Sequence, residues 1–409
     1  MRRIAAVARA LFATFTLIVG GMPAGAQPVE SFSSFLKGFE QRVVKAGIDR
    51  DVYQRAIAGL TERENIPGLV SRQPEFTTPI WQYLEGRVSG GRIERGRKAM
   101  AKHKSLFEEV GKAYGVDPAI LGALWGMETD YGAVLGNKAL VQPIIRSLAS
   151  LVHQRRGRLE ADEQEFISAL RLIQDHGWTT QTLVGSWAGA VGHTQVIASG
   201  LLAYGTDGDG DGVVNPHLSL ADALATSAVY LRALGYQSGV DWGFEVEVPK
   251  DFDYSLATRT EMKQIGFFAA HGVKRVKGRQ FADMDQAVFL YLPAGQHGPK
   301  FLMTPNYLVL KAYNFSDSYA LSVAHLTDRL KGSGAFVQGW PKSTKFPNLK
   351  QRIAVQNWLL ELGHYQGKVD GRLGPISQQA YQRFQENSGL VPDGFITLHS
   401  YELLRQAAR

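Results

Sequence analysis

A chain of 409 residues holds two domains, or one large domain with an appendage, and its 44% apolar and 20% charged content excludes a disordered or low-complexity protein. It has no cysteine, which excludes disulfides, thiol nucleophiles and a lipid on an N-terminal cysteine, and leaves stability to the core. The net charge of +7 suits an acidic polymer as partner, although many solvated surfaces are as basic.

Arg2, Arg3 and Arg9 flank the apolar run ALFATFTLIVGG, and AGA follows at 24–26. That layout predicts a secretory signal cleaved after Ala26, because the apolar run is short for a membrane span. Loss of those three arginines lowers the net charge from +7 to +4. No later segment approaches ~18 uninterrupted apolar residues, so the mature chain is expected to be exported and to carry no integral membrane segment.

From Val29 to about Leu330 the apolar spacing is mainly helical, in SSFLKGFEQRVVKAG, RIERGRKAMAKHKSLFEEVGKAYG, EADEQEFISALRLIQDHG and LADALATSAVYLRALG. In GVDPAILGALWGMETDYG, Asp117 and Pro118 supply a cap and a proline at the first helical position. At about 100° per residue, Leu121, Leu124 and Glu128 share one stripe, and Asp130 points roughly the opposite way. A carboxylate on an apolar face loses hydration, which favours its neutral form and suits a general acid. A glutamate that simply reaches solvent at the helix end satisfies the same pattern. The run RLEADEQEF reads as a solvated helix face.

VGSWAGAVGHTQ, at 184–195, is rich in glycine and alanine, which lets backbone approach a ligand closely. It is not a nucleophile elbow, since Gly185 directly precedes Ser186, and His193 reads as a hydrogen-bonded histidine rather than a metal ligand. In TDGDGDGVVNPHLSLAD, Asp207, Asp209 and Asp211 take positions 1, 3 and 5 of a calcium loop, with Gly212 at 6 and the Val213 carbonyl at 7. Leu218 replaces the usual glutamate at position 12, and Asp222 is the expected substitute ligand. The expected calcium is structural; an Asp/Gly turn without metal is the alternative. FEVEVPKDFDYS and QAVFLYLP read as strands. GSGAFVQGWPKSTKFPNLK reads as a linker, and the tail behind it as three short helical patterns punctuated by HYQG, VDGRLG and VPDG. Trp187, Tyr230, Tyr313 and Tyr319 are open to two readings, sugar stacking or core filling.

Taken in order, RQPEFTTPIWQYLEGRVS, GVDPAILGALWGMETDYG, SWAGAVGHTQ, the DGDGDG loop and KAYNFSDSYALSVAHL resemble the lytic murein transglycosylases of the B type over residues 29–330. The tail resembles the small helical peptidoglycan-binding module of wall enzymes. The resemblance implies a mainly α, lysozyme-like catalytic domain with minor β at 27–331, a linker at 332–347 and a three-helix module at 348–409. It implies cleavage of the bond between N-acetylmuramic acid and N-acetylglucosamine, with Glu128 as the catalytic acid/base. Ser186 and Gln195 then line the site, Tyr230 and Tyr319 shape the sugar cleft, and Tyr313, Asn314, Arg155 and Arg156 match substrate-side positions. Asp207, Asp209, Asp211 and Asp222 match the family's calcium loop, with no cofactor needed for catalysis. The run QVIASG departs from the family, which has an aromatic and then a proline after the glutamine. Losing that proline frees a backbone otherwise fixed near φ −65°.

Ordinary glycosidases use two carboxylates, and no second acid pairs with Glu128 by helical spacing. One carboxylate suffices if the sugar's own C6 hydroxyl replaces water, giving 1,6-anhydro ends. A hydrolytic muramidase with a distant second carboxylate, or a non-catalytic wall-binding protein, are the alternatives. The expected setting is the periplasm. Peptidoglycan strands are the expected partner, proteins of the wall machinery are candidate partners, and no nucleic acid is expected.

Overall fold

The computed structural model describes residues 30–64, 66, 78–154 and 159–408. The expected signal segment and the pair Arg155 and Arg156 lie outside the described residues. In chain order the helices begin with α1 (Phe32–Lys45), α2 (Arg50–Ile57), α3 (Ile80–Arg87), α4 (Gly90–Lys102), α5 (Lys104–Tyr114) and α6 (Pro118–Thr129). They continue with α7 (Ile144–Gln154), α8 (Leu159–Asp175), α9 (Ala198–Tyr204), α10 (Leu220–Ala233) and α11 (Ile265–Ala270). The last are α12 (Pro305–Asn314), α13 (Asp317–Leu330), α14 (Leu349–Glu361), α15 (Pro375–Asn387) and α16 (Leu398–Ala407). The protein is mainly α with minor sheet, as expected.

Among the described residues, two compact units share the chain: those from 30 to 78, 86–239 and 322–332 form one, and those of 79–85, 240–321 and 333–408 the other. In the first unit, Phe39, Tyr53, Leu148, Phe166, Leu170 and Leu201 from α1, α2, α7, α8 and α9 belong to one apolar core. The long periodic segment after Ser89 breaks at His103, which leaves helical geometry (φ −110°, ψ 30°) and separates α4 from α5. Gly115 then ends α5 in the left-handed region at φ 66°, where glycine carries no Cβ penalty. Asp117 caps α6 by accepting the Ala119 N–H, and Pro118 follows as foreseen.

Helix α6 is not amphipathic. Every residue from Ala119 to Met127 is buried, and so is Thr129, which is the pattern of a helix enclosed on all sides. Four two-residue strands, β1 (Gln142–Pro143), β2 (Val184–Gly185), β3 (Ala190–Val191) and β4 (Val196–Ile197), form an antiparallel ribbon in that order.

The second unit holds β5 (Gly243–Glu247), β6 (Lys263–Gln264), β7 (Lys274–Arg275), β8 (Ala287–Tyr291) and β9 (Lys300–Met303), in the order β6-β8-β9-β5-β7. Phe244 pairs with Leu302, and Leu290 pairs with the same Leu302 on the other side. Val246, Phe268, Val288, Leu290 and Leu302 belong to its core. The two strands expected from sequence are β5 and β8.

The C-terminal helices α14 to α16 have a core of their own, with Leu359, Tyr381, Phe384 and Leu404. The buried Gln356 amide organises it, accepting the Asp370 and Gly371 N–H groups and donating to the Arg372 carbonyl. The segment that reads as a linker or domain boundary is strapped to β5. The Glu245 carboxylate, 6% exposed, accepts the Val337 and Gln338 N–H groups at 2.8–2.9 Å, and Gln338 Nε2 donates to the Val246 carbonyl. Trp340 and Phe346 pack on Trp81 at centroid distances of 6.0 and 5.6 Å. Gln382 of α15 donates to the Tyr254 carbonyl, and Asp393 accepts the Gln296 N–H. These bonds explain why 333–409 clusters with 240–321 rather than standing apart. Among the described residues, no helix is long and apolar enough to cross a membrane.

Candidate active site

Glu128 is the penultimate residue of α6 and half-buried, between the buried Met127 and Thr129. The helix stops at Asp130, whose left-handed backbone (φ 51°) turns the chain and whose carboxylate meets Arg92 and Arg95 at 3.3 and 3.0 Å. Asp130 is thus committed to ion pairs, and it lies beyond the helix rather than on its opposite face.

Two bonds fasten the end of α6 to the glycine-rich segment. Thr129 Oγ1 donates to the His193 carbonyl at 2.7 Å, and Trp125 Nε1 donates to His193 Nδ1 at 2.9 Å. His193 is therefore a structural acceptor, in line with its reading as a hydrogen-bonded histidine. Burial, with His217 and His103 nearby, takes its pKa down from 6.5 to about 4 and keeps the imidazole neutral. Gln195 lies two residues further on, with φ 52°, and its Nε2 donates to the Gly192 carbonyl at 2.9 Å. Ser186 sits at the β2–β3 turn, where its Oγ accepts the Ala190 N–H at 3.2 Å and its own N–H donates to the Ala190 carbonyl at 2.8 Å. The ribbon thus carries Ser186 and Gln195 at the β2–β3 and β3–β4 turns, and Thr129, the residue beside Glu128, bonds the second turn through the His193 carbonyl.

Two of the glycines here are needed by the protein's own backbone. A Cβ on Gly192 (φ +78°) would lie 2.2 Å from the Pro216 carbonyl oxygen, and one on Gly185 would lie 2.1 Å from that of Ala190.

Tyr230, on α10, stacks on Tyr204 at 5.0 Å and 24°. Burial first, then the Tyr204 ring and the Glu165 carboxylate, push its phenol up to about 12. Glu165 corrects the reading of RLEADEQEF as a solvated face: it is 8% exposed, and Asp162 is 4% exposed. Charged letters at helical spacing gave no sign of this, because Glu165 lies on the side of α8 that meets Ser199 of α9. In the second unit, Tyr313 and Asn314 end α12, and the buried Tyr319 of α13 lies parallel to Tyr313 at 6.4 Å and 2°.

The aspartates of the DGDGDG loop converge. Asp207, Asp209 and Asp211 bring carboxylate oxygens within 4.8 Å of one another. Gly212 and Gly210 N–H groups bond Asp207 at 2.8 and 2.7 Å, and hold its carboxyl below the usual range. Asp222 stands outside that cluster of three. It is 1% exposed, and its oxygens accept the Gly208 and Asn215 N–H groups at 2.8 and 2.6 Å, so it anchors the loop to α10. Val213 is exposed, its N–H bonded to Asp211, and Leu218 at position 12 is 78% exposed.

The family model of the transglycosylase SLT domain matches residues 31–328, and that of a peptidoglycan binding domain matches 348–398. The chain is 38% identical to SltB3 from Pseudomonas aeruginosa, solved in complex with NAG-anhNAM-pentapeptide, with a TM-score of 0.84 over 92% of this chain and 100% of that one. Soluble lytic transglycosylase SltB1 from the same organism is 25% identical, with a TM-score of 0.61 over 74% of this chain and 99% of its own. The membrane-bound lytic murein transglycosylase B of Escherichia coli is 25% identical over 304 residues, 70% of this chain and 80% of that protein. With the first family model spanning the greater part of the sequence and the second covering its tail, the chain belongs to the SLT-domain transglycosylases: it is a lytic transglycosylase followed by a peptidoglycan-binding domain.

Proposed function

We propose that this enzyme cuts the β-1,4 bond between N-acetylmuramic acid and N-acetylglucosamine without water, with Glu128 as the single acid and then base. The observation that carries the proposal is the place of Glu128: a half-buried carboxyl closing a fully enclosed helix, tied through Thr129 to the turn that bears Gln195. A group serving two opposite proton transfers must stay fixed between them, and that anchorage supplies the fixity. Glu128 gives its proton to the glycosidic oxygen as the bond to the anomeric carbon breaks. The resulting carboxylate then takes the proton of the muramic C6 hydroxyl, whose oxygen closes on the anomeric carbon. The acetamido oxygen of the same sugar supports the cationic carbon between the two steps. The complex of SltB3 with NAG-anhNAM-pentapeptide suits this product chemistry.

Ser186, Gln195 and Tyr230, with Tyr313, Asn314, Tyr319, Arg155 and Arg156, keep the substrate-side roles that the resemblance gives them. Asp207, Asp209 and Asp211, with the Val213 carbonyl, offer a calcium ion the hard oxygen donors it prefers, and the ion would neutralise their mutual repulsion rather than take part in the reaction. The arginine-flanked apolar run ending at AGA 24–26 supports reading this segment as an export signal cleaved after Ala26, with the periplasm as the site of action. A zymogram on isolated peptidoglycan tests the assignment: clearing by the wild type and none by a folded Glu128→Gln variant is expected, and equal clearing by both would refute it.

A further inference from the structure

Helix α9 starts without a cap of its own, because Ile197 at its N-cap offers no side-chain acceptor. A helix start leaves backbone N–H groups in need of partners. Glu165, one helix away on α8, fills the gap: its Oε2 accepts the Ser199 N–H at 3.1 Å and its Oε1 accepts the Ser199 hydroxyl at 2.5 Å. Only the two residues of β4 and Ala198 separate Ser199 from Gln195. On the upstream side Thr194, fully buried, donates its hydroxyl to the Ala223 carbonyl at 3.2 Å. Gln195 is therefore clamped from both directions, in a left-handed backbone that a β-type neighbour would not hold by itself. The run QVIASG has no proline to stiffen this stretch, and the carboxylate does that work from outside the chain segment.

We infer that Glu165 is a positioning residue of the reaction, fixing the β4–α9 junction so that Gln195 meets the glycan in one geometry. The inference rests on the reading of Gln195 as a glycan-contacting residue. The test is a double-mutant cycle between Glu165→Ala and Gln195→Ala, with initial rates on soluble peptidoglycan fragments. Loss of a charge-assisted hydrogen bond that orders a binding group raises KM about tenfold while kcat stays nearly constant. In the Gln195→Ala background the same change adds no further rise, because the group being positioned is gone. Glu165→Gln, whose amide both accepts from the Ser199 N–H and donates to its hydroxyl, restores KM. Where Glu165→Ala does not fold, Ser199→Ala removes the hydroxyl arm alone and shows the same non-additive rise. Effects that multiply across the cycle, or a Glu165→Gln variant as poor as the alanine, overturn the inference. A Gln195→Ala variant with unchanged KM overturns the glycan-contact reading itself, and the inference with it.

Discussion

Glu128 owes its place to residues that carry no chemistry. Asp117 and Pro118 set the start of α6, the enclosed run to Met127 fixes its axis, and Thr129 bonds its end to His193. Glu128→Gln keeps this shape and removes the proton, so a loss of at least about 10²–10⁴ in kcat is expected with an unchanged circular dichroism spectrum. Asp130→Asn suits the left-handed backbone, forfeits two partly exposed ion pairs for about 1 kcal/mol or less, and keeps most activity. His193 gives a pH signature. Its folded pKa of about 4 lies below the ordinary 6.5, so between those values the unfolded chain binds the extra proton and stability falls with pH. Burial lowers His325 to about 4 as well, so the melting temperature drops as pH falls through this window, and His193→Gln makes the drop shallower. The sequence alone showed a helix with a readable start and Glu128 at its end, but not that the helix stops at Thr129 and Asp130 leaves it in a left-handed turn. It did not show Thr129, Trp125 and His193 as one fastening, because a bond between residues 64 or 68 positions apart leaves no local periodicity.

Element by element, the legible parts are those whose own residues decide them. The break at His103 splits a stretch that reads as one periodic helix, since periodicity continues across a break in backbone geometry. The ribbon β1 to β4 is invisible to a period-two pattern, because each strand is two residues long. The second face of α8 was misjudged for a similar reason: Glu165 is a charged letter at a helical position, and only the uncapped start of α9 explains its burial. The loop at 207–213 is the opposite case, with its three acids clustered as their spacing foretold. Added calcium should raise the melting temperature with occupancy while leaving kcat unchanged, and Asp209→Asn should blunt that rise. A melting curve indifferent to calcium would remove the ion from the account.

For the whole molecule, composition and motif order gave the mainly α class and the two-part organisation, but not the strap between the parts. Glu245 reads as one acid among strand residues, yet it holds the 337–338 backbone, and the aromatic pairs of Trp81 with Trp340 and Phe346 follow from pairing across more than 250 positions. A chain cut after Lys331 leaves the Glu245 carboxylate without those donors and bares Trp81. Its melting temperature should fall and its pull-down on sacculi should vanish, since a buried charge without partners costs about 3 kcal/mol or more. Glu245→Ala in the full chain should lower the melting temperature while keeping the pull-down. The central claim, one carboxyl acting as acid and then base on a sugar that attacks itself, is tested most directly by the mass of the soluble fragments released from purified peptidoglycan. Fragments ending in 1,6-anhydromuramic acid, lighter by one water than hydrolysed ones, are the predicted result. Fragments with ordinary reducing ends, which take up heavy oxygen from labelled water, would contradict it.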